Sequence, residues 1–502
     1  MNGIIDSLKR MQNYTVTENG GVAHKSTLSA VYDLFAFAGA YRSRSDDDCI
    51  LLFKKAFEEN ELLALKCLFY IRDIRQGQGE RRFFRVCFNW LAKNYPEAAR
   101  RNLINIAEYG RYDDLYSVID TELESDMFEI VKEQLQKDLQ SLENSENTGV
   151  SLLAKWLKSE NASAEETKRL GEKTRKYLGM SHKAYRKLLS ILRTRIKIVE
   201  KYMSENRWNE IEFDKIPSKA GFIYRNTFAH KDIIAKKYED FINNKTTKVN
   251  AKALYPYEIV QSVTKKINGR YELLISETER ETLNKYWNNQ KDYLEGRSCK
   301  ILTIADTSGS MRSGMGNVAP IDVSISLAMY CSERISGPFK NYFISFSSQP
   351  KLIEVEGVDF VDTVRRIYAQ NLCENTNLRA VFNLLKDLVT TEDSGVEASD
   401  LPTTLVVISD MEIDGGSYWR DQYQRQTEME EIRDEWAKAG LTMPKLVYWN
   451  VNARKNLILD EDENTTFVSG ASPVIFESVL LGKTGIELMK DKLLSERYES
   501  VK

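Results

Sequence analysis

The chain is poor in the residues that carry most metal and redox chemistry. Its six cysteines (Cys49, Cys67, Cys87, Cys299, Cys331, Cys373) are scattered, with no C-x-x-C pair. That pattern points to reduced, mostly buried thiols rather than disulfides or a zinc site. Three histidines, His24, His182 and His230, lie far apart and none sits in an H-E-x-x-H setting, so zinc hydrolysis has no candidate ligand set. No apolar run approaches the roughly 20 residues needed to span a bilayer. The opening "MNGIIDSLKRM" carries Asp6 and Lys9 where a signal peptide needs an apolar stretch. The expectation is a cytoplasmic protein without a membrane partner.

What is present is ordinary for a folded protein: 42% hydrophobic and 29% charged residues over 502 positions. That length exceeds what one core organises, so two or three domains are expected. The net charge of −3 conceals an asymmetry. Residues 151–250 hold 23 Lys+Arg against 12 Asp+Glu, whereas residues 301–502 hold 20 against 31. A basic middle suits a polyanion. The alternative is that the basic and acidic parts attract each other.

From about Thr27 to Trp287 apolar residues recur at spacings of three and four, as in "LLFKKAFEENELLALKCLFYIRDI", and short polar breaks separate the helical stretches. This predicts an all-helical array of paired antiparallel helices over 27–298, without a strict sequence period. Pro256 suits the first turn of a helix. Residues 1–26, with Gly20-Gly21, are expected to be an irregular lead-in. Over 299–502 the texture changes. Strand-like "ILTIA", "NYFISF", "TTLVVIS" and "KLVYWNV" alternate with helical "DVSISLAMYCSERI", "FVDTVRRIYAQ", "NLRAVFNLLKDLV" and "TEMEEIRDEWAKA". Such alternation predicts a doubly wound, Rossmann-like α/β domain with helices on both faces of a parallel sheet. Ligands of such sheets bind beyond the carboxyl ends of strands.

Two of those ends are rich in oxygen. "ILTIADTSGSM" places Asp306, Ser308 and Ser310 after a strand, "ENTNL" places Thr376 before a helix, and "TTLVVISD" ends on Asp410. Two carboxylates and three hydroxyls are hard ligands of low total charge, suited to Mg²⁺, Mn²⁺ or Ca²⁺. Five side chains, some acting through water, leave one coordination position for a partner's carboxylate or another oxygen. The alternative is a set of Asx and Ser turns that cap helices. The D-x-S-x-S motif with a later Thr and a later strand-ending Asp resembles the metal-ion-dependent adhesion site (MIDAS) of von Willebrand factor type A domains. The match covers Asp306, Ser308, Ser310, Thr376 and Asp410.

In the helical half, "SHKAYRKLLSILRTRIKIVEKYMSENRW" placed on a wheel of about 100° per residue puts Tyr185, Leu189, Leu192, Ile196 and Val199 on one side. Lys183, Arg186, Lys187, Arg193, Lys197 and Lys201 fall on the other. The following segment adds Lys219, Arg225, Lys231, Lys236 and Lys237 among Phe222, Tyr224 and Phe228. Cations interleaved with rings suit phosphates and unpaired bases. A solvated face with rings packed between helices is the alternative.

The segments "IRDIRQGQGERRFFRVCFNWL", "IAEYGRYDDLYSV" and "KALYPYEIV" resemble the helical module joined to a C-terminal type A domain in a plant and viral family of uncharacterised function, related to the Ro ribonucleoprotein (TROVE) proteins. That resemblance implies a HEAT-like helical ring binding small structured RNAs or single-stranded ends of defective RNAs. The RNA-site residues Lys183, Arg186, Lys187, Arg193, Lys197, Lys201 and Arg225 rest on charge and wheel position. Three functions follow as hypotheses: a non-enzymatic RNA-binding protein; an adaptor whose metal docks a partner's Asp or Glu; and a metal-dependent nuclease. The nuclease is disfavoured because two-metal cleavage needs more carboxylates, and Glu412 and Asp414 are the only extras nearby.

Overall fold

The computed structural model describes residues 12–143, 149–267, 270–272, 275–295, 298–312, 318–346, 349–370, 376–391, 393–413, 428–460, 462, 464–479 and 483–502. Residues 1–11 of the expected lead-in lie outside them. The rest of that lead-in is ordered: β1 (Tyr14–Val16) pairs antiparallel with β2 (Val22–His24). Local sequence gave no sign of this hairpin because its support is distant. His24 bridges to Ile458, and Thr17 Oγ1 donates to the Ile413 carbonyl at 2.8 Å.

The helical half follows the 3.6-residue period. Helix Asp46–Glu59 starts at a capping box in which Ser45 Oγ accepts from Asp48 N at 3.1 Å. A cap of this kind contributes about 1 kcal/mol. Asn60 ends that helix and caps the next, Glu61–Arg72, by accepting from Leu63 N at 2.9 Å. Helix Arg81–Asn94 buries Phe83, Phe84, Cys87, Phe88 and Leu91 on one face.

Two quoted motifs turn out to be structural. In "DIRQGQGER", a Cβ at Gly77 would lie 2.0 Å from the Tyr70 carbonyl oxygen, and Gly79 has φ +71, so both positions need glycine. In "YGRYDDL", the fully buried Asp114 accepts from Arg72 Nε at 2.8 Å, Arg85 Nε at 2.6 Å and the Arg111 backbone N–H at 2.9 Å. The helical half also meets itself. Tyr255, ahead of helix Pro256–Val263, donates its OH to the Gln78 carbonyl at 2.8 Å, and Arg42 lies over the Tyr255 and Tyr257 rings. A short antiparallel pair, β3 (Lys265–Ile267) and β4 (Arg270–Glu272), interrupts the region expected to be helical.

The second half is a mixed α/β layer. Its strands are β5 (Ile301–Ala305), β6 (Tyr342–Ser345), β7 (Lys351–Glu354), β8 (Thr404–Ser409), β9 (Lys445–Asn450) and β10 (Thr465–Ser469), in the order β10-β9-β8-β5-β6-β7. All pairs are parallel except β6–β7. β5 is buried along its whole length, as a central strand covered on both faces should be. The strand order reverses at β5, so the ends of β5 and β8 flank the switch point.

The halves interlock. Gly39 N donates to Ser469 Oγ at 3.0 Å, and Gln261 Nε2 donates to Asp322 at 2.9 Å. Arg280 pairs with Asp359 at 2.7 Å, while Arg497 returns to the helical half and pairs with Asp73 at 2.9 Å. Among the described residues no helix is long and apolar enough to cross a membrane.

Candidate functional site

The basic segment forms one wall of a groove. Helix His182–Arg195 begins at Ser181, whose Oγ accepts from Ala184 N at 3.2 Å, and buries Tyr185, Leu188, Leu189 and Leu192. It does not run on to Lys201 as the wheel assumed. The helix stops at Arg195, Lys197 takes a left-handed φ of +51, and a second helix, Val199–Ser204, sets off. The run Ile196 to Val199 contains three β-branched residues, which are poor helix propagators.

This break redistributes the predicted stripe. Lys183, Arg186 and Lys187 are exposed on the first helix. Arg193 is turned toward the protein: Nε donates to the Ala154 carbonyl at 2.8 Å and Nη2 to the Leu157 carbonyl at 2.9 Å. It thereby satisfies carbonyls at the end of the short helix Leu153–Trp156, which otherwise have no partner in the helix. Lys201 is held by Glu205 and Ser190, both at 2.9 Å. Arg225 is turned inward, donating to the Phe222 carbonyl at 2.7 Å and facing Glu279 at 3.5 Å. Burial lowers its pKa, with Glu279 opposing.

A groove of about 760 Å³ gathers the rest. Arg111, Lys155, Arg186, Arg193, Lys201 and Lys219 line it with Glu200, Trp156 and Tyr224, and Lys219 is paired with Glu258 behind the lining. Arg111 stacks 3.9 Å from the Trp156 ring centre and is held there by Asp113 at 3.0 Å. Lys155 lies 5.4 Å from the same ring. Neither Lys155 nor Arg186 has an ion-pair partner among the described residues. Near Arg111, burial and then the charges of Arg111 and Arg85 lower the pKa of Arg81, with Asp113 and Asp114 opposing. An adjoining cavity of about 560 Å³ shares Lys155 and Glu200 and takes in Lys197. Lys219 and Tyr224 were legible as part of the basic aromatic run. Arg111 and Trp156 were not, because the first looked like part of a helix break and the second like one core aromatic among many.

At the switch point the structure assembles four of the five predicted oxygens. Asp306 is fully buried; Oδ1 accepts from Ser308 N at 2.9 Å and Oδ2 from Ser409 Oγ at 2.5 Å. Ser308 Oγ and Ser310 Oγ are 3.0 Å apart, and Ser310 interacts in turn with Asp410. Asp410 is buried, and its Oδ2 accepts no hydrogen bond. Thr376 is buried just ahead of helix Leu378–Thr390. Burial and the neighbouring Asp410 charge push Asp306 up to about 6, and burial also raises Asp410. Glu412 is buried and raised by that burial, with Oε2 accepting from Glu18 N at 2.6 Å. Asp414 lies outside the described residues.

No group of three or more His, Cys, Asp or Glu with metal-holding geometry occurs among the described residues. The cluster instead combines two carboxylates with hydroxyls, the donor chemistry of a hard cation. Its Asp410 oxygen, buried, without a hydrogen bond and 3.8 Å from Arg454, and its mutually repelling carboxyls fit a divalent ion.

The arrangement defines a two-part protein: a self-contacting helical half with a cationic aromatic groove, and an α/β half with an oxygen cluster at its switch point. The chain belongs to the family described as domain of unknown function DUF2828, whose model matches residues 17–127 and 122–296. A second model, domain of unknown function DUF7788, matches residues 300–501. An uncharacterized protein of Acanthamoeba polyphaga mimivirus is 26% identical over 512 residues, covering 94% of this chain and 85% of that one. The crystal structure of the Deinococcus radiodurans RO (RSR) protein aligns with 93% of this chain and 99% of that chain, at 12% identity and a TM-score of 0.46.

Proposed function

We propose that the chain is a non-enzymatic RNA-binding protein, Ro-like in organisation. Its helical half takes small structured or single-stranded-ended RNA in the cationic groove. Its α/β half acts as a von Willebrand factor type A domain. The observation that carries the reading is the groove itself, where Lys155 and Arg186, without ion-pair partners among the described residues, lie with four engaged cations beside Trp156 and Tyr224. Cations answer phosphates, and ring faces answer unpaired bases.

For the α/β half, the strand order with one antiparallel edge strand and the oxygen cluster at the switch point support the type A reading. Asp306, Ser308, Ser310, Thr376 and Asp410 would hold Mg²⁺, Mn²⁺ or Ca²⁺. The ion would supply a Lewis-acidic point for an acidic side chain of a protein partner. An adaptor that uses this point without RNA is the second reading, favoured by the buried, unbonded oxygen of Asp410.

The test compares a labelled single strand of RNA with heparin, a polyanion that has no bases. RNA should bind more tightly at equal ionic strength. Trp156→Ala should weaken RNA by about 1–3 kcal/mol, the usual worth of one stacked base, and leave heparin unchanged. Equal losses for both ligands would reduce the groove to a general anion site.

A further inference from the structure

The chain's own N-terminal hairpin reaches the oxygen cluster through Glu412 and Arg454. Glu18 lies in the turn between β1 and β2, where its N–H donates to Glu412 Oε2 at 2.6 Å and Asn19 Nδ2 donates to the Glu412 carbonyl at 2.7 Å. The Glu18 carboxylate meets Arg454, with Nη1 2.8 Å from Oε2. The other arm of the same guanidinium donates from Nη2 to the Ser310 carbonyl at 3.2 Å and lies 3.8 Å from Asp410 Oδ2. That oxygen is buried and accepts no hydrogen bond. One side chain from the loop after β9 therefore spans a surface carboxylate on the hairpin and a buried carboxylate of the cluster.

We propose that Arg454 and Glu18 form a charge clasp that sets the cation affinity of this cluster: Arg454 opposes a divalent ion at Asp410, and Glu18 draws Arg454 outward. The inference rests on the cation reading above and deepens it. A guanidinium and a divalent ion attracted to one carboxylate oxygen repel each other, and the surrounding burial weakens the screening between them. Glu18 acts from the far side. Its side chain is 45% exposed and touches Arg454 rather than Asp410, so it offsets part of the guanidinium charge.

Calorimetric titration of the full chain with Mn²⁺ tests the clasp. Arg454→Gln should tighten binding by about tenfold, and Glu18→Gln should weaken it by about fivefold, both from the changed charge near the site. In the double variant the Glu18→Gln loss should shrink below the fivefold seen with Arg454 present, because the part that runs through Arg454 is gone and only the direct charge of Glu18 on Asp410 remains. Arg454→Lys keeps the charge and should stay within about twofold of the unaltered chain, which separates charge from packing. It also provides a second readout if Arg454→Gln disturbs the fold. Equal affinity for Arg454→Gln and the unaltered chain overturns the clasp and leaves the cation reading standing. A Glu18→Gln loss that is undiminished in the double variant also overturns it, since Glu18 would then act on the site without Arg454. Uptake by neither the unaltered chain nor Arg454→Gln refutes the cation reading, and the clasp with it.

Discussion

Replacing Lys155, Lys183 and Arg186 together with Gln should flatten the salt dependence of RNA binding without unfolding the protein. These three are chosen because they have no ion-pair partner among the described residues: Lys183 and Arg186 are exposed along one stripe of helix His182–Arg195, and Lys155 lines the same groove as Arg186. Each phosphate of a single strand that loses its cation removes about 0.7 from the slope of log K against log[salt]. Three contacts therefore amount to roughly two units of slope. Between 50 and 200 mM salt, the unaltered chain should lose roughly 20-fold more affinity than the variant. Filter binding of a labelled RNA with a free 3′ single strand, at four or more salt concentrations, measures this directly. The contrast variant is Arg193→Gln with Arg225→Gln, whose guanidiniums are occupied by carbonyls of the protein. That pair should lower stability and leave the slope nearly unchanged. A slope unaltered in the triple variant, or flattened equally in the contrast pair, would refute the assignment of the groove.

Asp306→Asn keeps an acceptor for the Ser308 N–H but removes a cation ligand, so it should abolish Mn²⁺ uptake while the folded circular dichroism spectrum persists. RNA affinity should hold, because the groove residues and Asp306 share no contact. Asp114→Asn should cost about 3–5 kcal/mol in urea unfolding, since it leaves the buried Arg72 without its counter-charge. Asp113 should contribute a pH dependence. Burial pushes its carboxyl up, but Arg85 and Arg111 together outweigh that and hold it below the usual carboxylate range. A depressed folded-state value means stabilisation that is present above the ordinary carboxylate pKa and is lost as pH falls through the depressed one. Asp113→Asn should therefore be destabilising in thermal melts at pH 7 and converge with the unaltered chain near pH 2.

What the sequence by itself determined was local and periodic. The 3.6-residue spacing marked the helices on either side of Asn60, and the β-branched runs marked β5, β6, β8 and β9 close to their observed bounds. The D-x-S-x-S stretch was legible because a strand end and its loop are adjacent in the chain. Strands β7 and β10 and the β1–β2 hairpin were not legible. β7 is an edge strand with exposed residues, and the hairpin is supported by partners such as Ile413 and Ile458 that lie hundreds of residues away. The helical wheel assigned faces to Arg193 and Arg225 but had no knowledge of the carbonyls waiting beside them. Only the tertiary structure set Arg111 on Trp156, and only it placed Glu18 and Arg454, 436 residues apart, beside the oxygen cluster. Periodicity tells a chain which face to bury. Which charge meets which carboxylate depends on how the buried faces pack, and no spacing within one segment encodes that.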